Sequence, residues 1–88
     1  MKVAQVSIDG FSAELIHPTD IPMMKLLEIQ MNPNHEKQAY EMLTLIRNNI
    51  LNPVKQVEFN DLTVEQISKF MEEYFSAPAI EMDWEDVD

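Results

Sequence analysis

The chain holds a single glycine, Gly10, and the residues on either side of it alternate so regularly that one strand pairing keeps its two faces separate. Asp9-Gly10 is a favoured two-residue hairpin turn and predicts a type I′ conformation. A loop of those two residues sets Ile8 opposite Phe11, Val6 opposite Ala13, and Ala4 opposite Leu15, all apolar. The other face pairs Ser7 with Ser12 and Gln5 with Glu14 before Val3 meets Ile16. A slip of one residue would mix the faces, so the alternation specifies this register over about residues 3–16. A lone hairpin is marginal in water, and its apolar face must therefore lie on helices or on another chain.

The rest of the chain reads as helical. His17-Pro18-Thr19-Asp20 ends the hairpin and opens a first helix over about 20–31, with Thr19 or Asp20 as cap and Pro22 tolerated in the first turn. Its segment Met23–Met31 is apolar around most of its circumference, a pattern that calls for a central place in the core or a partner. Asn32-Pro33 stops it. A second helix is expected over about 34–51, with Ala39, Met42, Leu43, Ile46 and Ile50 at helical spacing, widened by Tyr40 and Leu45. Asn52-Pro53 closes that helix, and Val54–Phe59 reads as an extended connector. The third helix, about 63–77, has the clearest start: Thr63 with Gln66 three residues on forms a capping box, and Leu62 can staple onto Ile67. Val64, Ile67, Met71 and Tyr74 make its stripe, widened by Phe70 and Phe75. The expected fold is thus α+β, mainly α: a hairpin and three helices in one small domain, residues 1–77, and an acidic, flexible tail, 78–88.

Charge is concentrated toward the C-terminal end of the sequence. Sixteen acids against six bases give a net charge of −10. Residues 61–88 hold nine of those acids and only Lys69 among the bases. Such a balance disfavours direct binding to nucleic acid or to an anionic membrane. No apolar run approaches the length of a membrane helix, no signal-peptide pattern opens the chain, and there is no cysteine; together these predict an intracellular protein. In the tail, Ile80, Met82, Trp84 and Val87 alternate with acids, a composition found in segments that order on a partner.

Catalytic chemistry has little to build on. His17 and His35 have no second ligand at metal-binding spacing and read as ordinary surface or edge histidines. One glycine cannot make a phosphate-cradling loop, no serine sits in a nucleophile elbow, and the tail acids lack the spacing of a calcium loop. The expectation is a non-enzymatic protein with no cofactor and no metal. Binding is the better reading, because Met23, Met24, Met31, Met42, Met71 and Met82 are many for a chain this short. Methionine fills cores, but it also lines deformable grooves that accept an apolar helix. A domain this small can hardly cover every side of the first helix, so Met23, Met24, Leu27 and Met31, with Trp84 from the tail, are the candidate partner-binding residues.

The order of features resembles a known family. Val6-Ser7-Ile8-Asp9-Gly10 followed by Glu14-Leu15, then Leu26-Leu27-Glu28-Ile29-Gln30, then Asp61-Leu62-Thr63-Val64-Glu65-Gln66-Ile67 and an acidic end, is similar to the small tail assembly chaperones of long-tailed, siphovirus-type bacteriophages. Family members often carry a tryptophan late in the last helix; here Tyr74 and Phe75 stand there, with Trp84 beyond. The resemblance implies a viral protein of the host cytoplasm whose client is the long, helical tape-measure protein, with the tail tube protein as a further partner. Two other classes compete with it. An acidic mimic of nucleic acid could inhibit a DNA-binding host defence enzyme, but it needs carboxylates fixed on a rigid surface. A small structural adaptor could form homo-oligomers through the hairpin edge.

Overall fold

The computed structural model describes residues 1–81 and is a small α+β fold: strands β1 (Lys2–Ile8) and β2 (Phe11–Ile16), helices α1 (Met23–Gln30), α2 (His35–Asn48), α3 (Pro53–Phe59) and α4 (Val64–Ser76), and a two-residue strand β3 (Ile80–Glu81). The hairpin has the register that its alternation predicts, from Ile8 opposite Phe11 to Val3 opposite Ile16. Its polar face is laced by Ser7 to Ser12 (2.9 Å between hydroxyls) and by the Gln5 amide donating to Glu14 (3.3 Å). The turn itself differs from expectation. Only Gly10 has a positive φ, +83°, whereas a type I′ turn needs left-handed backbone at Asp9 as well. A negative φ followed by a left-handed glycine is the pattern of a type II turn.

Four helices replace the expected three. The segment expected to run extended, Val54–Phe59, lies in α3, because Asn52-Pro53 both ends one element and starts the next. The Asn52 side chain accepts the Val54 amide (2.9 Å), and Pro53, whose missing N–H costs nothing in a first turn, supplies a helical φ. α2 stops at Asn48, short of the expected Leu51. Residues 49–51 instead run beside β2: Ile16 donates to the Asn49 carbonyl and Leu51 to the Glu14 carbonyl, both at 2.9 Å, around a Leu15–Ile50 bridge. That pairing protects half of the β2 edge. On the far side, β3 pairs with Lys2 and Val3, giving the strand order β2-β1-β3. Ile80 and Glu81, expected in the tail, are therefore part of the sheet; Met82, Trp84 and the rest of 82–88 lie outside the described residues.

The first helix is also shorter than 20–31. Pro18–Asp20 form one 3-10 turn, Ile21 is extended and buried, and α1 begins only after Pro22, which has no side chain able to cap it. The proline forces the residue before it out of helical backbone, so a helix cannot run through 20–22. Met31 stands as the C-cap.

The apolar hairpin face packs on α2, α3 and α4. Phe11, Phe59 and Phe70 form a three-ring cluster with centroids 5.4 to 6.3 Å apart, and Tyr74 stacks on Phe70 at 6.3 Å. Leu15, Ile46 and Ile50 complete its buried centre. Two stripes are narrower than the periodicity suggests: Ala39 and Tyr40 on α2, and Val64 and Phe75 on α4, are exposed. The α4 start follows the sequence closely. Thr63 Oγ1 accepts the Gln66 amide (3.2 Å), and Gln66 Oε1 accepts the Thr63 amide (3.0 Å). We expect Thr63→Ala and Asn52→Ala each to lower stability by about 1 kcal/mol in urea denaturation, the loss of one helix cap. Wild-type stability of Asn52→Ala would mean that α3 forms without it.

Candidate functional site

The α1 helix is held to the domain by one side. Leu26 packs against the core cluster and Ile29 is buried. Its C-terminal end is tied to α2 by Gln38, whose side-chain amide donates to the carbonyls of Gln30 (2.8 Å) and Asn32 (2.6 Å). Asn34 caps α2 by accepting the Glu36 and Lys37 amides, which fixes the short connection between the two helices.

The opposite side of α1 is bare. Met23, Met24, Leu27 and Met31 are 67, 66, 41 and 79% exposed. At 3.6 residues per turn these four positions fall within an arc of roughly 100°, so they form one ridge rather than scattered contacts. A contiguous ridge of four large side chains presents on the order of several hundred Å² of apolar surface, the scale that marks an interaction site. All four sequence candidates on this helix thus come together on one surface. Trp84, the fifth, lies outside the described residues.

Beside the ridge, α1 and α2 enclose an open groove of about 290 Å³. Ile29 and Leu45 are its apolar floor, Tyr40, 69% exposed, is one wall, and Lys25, Glu28 and Glu41 stand at its rim. No periodicity marks Tyr40 and the two glutamates as a group, because their proximity depends on how α1 lies against α2. A larger open groove, about 780 Å³, lies over the polar hairpin face and is walled by Leu51, Asn52, Pro53 and Lys55. Its strand residues, Gln5, Ser7, Ser12 and Glu14, are already engaged with one another across the hairpin.

His17, expected at the surface or at an edge, stands at the end of β2. It is buried, its Nδ1 accepts the Thr19 amide (3.1 Å), and its Nε2–H donates to the Ala77 carbonyl (2.8 Å). This pair of bonds ties the end of β2 to the end of α4. Next to it the Tyr74 hydroxyl donates to the Ile16 carbonyl (2.5 Å). Burial pushes the Tyr74 phenol up to about 12, partly offset by the Asn49 side chain. Among the described residues, no three His, Asp or Glu side chains gather as a metal-binding cluster, and no helix is long and apolar enough to cross a membrane.

No family model matches the chain, and neither a curated protein nor a solved structure shows significant similarity to it.

Tyr74 generates a pH prediction. Its phenol holds its proton to higher pH when folded than the ordinary value of 10 for an unfolded chain. The associated stability is complete below pH 10 and is lost as pH rises from 10 toward 12. Denaturation midpoints should fall over that window for the wild type, and less steeply for Tyr74→Phe. Parallel profiles for the two proteins would contradict the assignment.

Proposed function

We propose that the chain is a non-enzymatic tail assembly chaperone of a long-tailed bacteriophage, which binds helical segments of the tape-measure protein in the host cytoplasm and keeps them soluble before the tail tube forms around them. One observation carries the proposal: α1 turns Met23, Met24, Leu27 and Met31 outward on one ridge, while the domain covers only Leu26 and Ile29. Methionine suits such a task. Its unbranched, polarisable side chain adapts to many apolar shapes, so one surface can accept successive stretches of a long client. The net charge of −10 would keep the resulting complex in solution. The choice of client rests on the resemblance of the motif order to that of the phage chaperones.

The test is co-expression with a tape-measure fragment. Met24→Asp and Met31→Asp place a carboxylate at exposed positions, so circular dichroism and thermal midpoint should stay close to wild type, a change of about 0.5 kcal/mol or less. Soluble fragment should nevertheless fall sharply. As a reference, Ile29→Asp, at a buried position, should unfold the protein or cost several kcal/mol. Folded Met24→Asp and Met31→Asp variants that still solubilise the fragment would place the client elsewhere.

A further inference from the structure

We infer that the groove between α1 and α2 receives a basic amphipathic helix, with apolar side chains on Ile29, Tyr40 and Leu45 and lysine or arginine side chains on Glu28 and Glu41. The inference rests on the chaperone reading and specifies the kind of segment that the site selects. Geometry argues for a helix. The groove has helical walls and offers side chains rather than an open strand edge, and two ridges side by side accept a third helix. The eight residues of α1 make a wall about 12 Å long, two turns of a partner whose anchors recur at i, i+3 or i+4, and i+7.

Charge argues for a basic partner. Glu28 has no ion-pair partner among the described residues, and Glu41 only accepts a 3.3 Å hydrogen bond from the Asn32 amide. Two carboxylates face one ammonium, Lys25, around the groove, leaving negative charge for an incoming cation to neutralise. A second copy of the chain fits poorly, since it also carries −10 and its own α1 has Lys25 as its one base against Glu28. An anionic membrane is repelled by the same net charge.

Two synthetic peptides of about 18 residues test this, long enough to form helix in solution. They share one face of leucines at i, i+3, i+4 and i+7 and differ in flanking lysines or flanking glutamates. Fluorescence anisotropy with the full chain at physiological salt should show the lysine peptide binding at least about tenfold tighter. Glu28→Gln with Glu41→Gln should weaken that binding about fivefold, the scale of two exposed ion pairs. Glu72→Gln with Glu73→Gln, an equal change of net charge on the exposed side of α4, should alter it by less than about twofold. Equal losses in the two double variants would overturn the inference, because net charge alone would then attract the peptide. So would equal binding of both peptides, binding of neither, or tighter association with phosphatidylglycerol vesicles than with the lysine peptide. If the Glu28→Gln, Glu41→Gln chain solubilises a tape-measure fragment as well as wild type, the inference falls and the chaperone reading stands. A wild-type chain that binds the lysine peptide but leaves the fragment insoluble would overturn that reading and leave the groove's preference in place.

Discussion

Three phenylalanine rings set the frame on which the rest of the structure depends. Phe11 begins β2, Phe59 ends α3 and Phe70 lies mid-way along α4, so the cluster joins three elements far apart in sequence. Removing one such ring from a core costs about 3–5 kcal/mol, a large share of the stability of a domain this size. The hairpin cannot stand alone, and this cluster is what it stands on. Backbone pairing then closes the sheet from both sides, with residues 49–51 along β2 and β3 along the start of β1. His17 and Tyr74 bolt the end of α4 to the same corner through the Ala77 and Ile16 carbonyls.

The aromatic cluster also explains why α1 is left over. With α3 and α4 on the hairpin and Ile46 and Ile50 filling the centre, little of the core remains for α1 to cover; it lies beside α2, with Leu26 on the core cluster and Ile29 buried. A helix of eight residues with no side-chain cap gains little from its own hydrogen bonds. Its ordering depends on those two residues and on Gln38. The proposed chaperone role depends on the apolar ridge that this footing leaves exposed. The exposed ridge follows from size: the domain is too small to bury every apolar side chain it carries.

What the sequence made legible was local. The hairpin register could be read because a period of two permits one alignment, and the α4 start because Thr63 and Gln66 lie within one turn. The α3 helix was hidden by Val54 and Val57, whose branched side chains look strand-like, and by reading Asn52-Pro53 only as a stop. β3 is two residues long and exists only through its pairing with β1, and the bond from His17 to Ala77 spans sixty residues. No periodicity could announce either. The ridge on α1 was legible because four of its residues are apolar on a helix that a small core cannot enclose. The groove beside it was not, since Tyr40, Glu28 and Glu41 meet only through the packing of α1 on α2.

The methionine methyl groups allow the most direct test of the account. Met23, Met24 and Met31 lie on the proposed client surface, whereas Met42 and Met71 pack against the core of the same molecule. Selective methyl labelling and titration with a tape-measure fragment, followed by NMR, would observe both groups at once. The three α1 methyl signals should shift or broaden as the fragment is added, while those of Met42 and Met71 hold their positions. Unchanged α1 signals during binding, with perturbation confined to other sites, would contradict it.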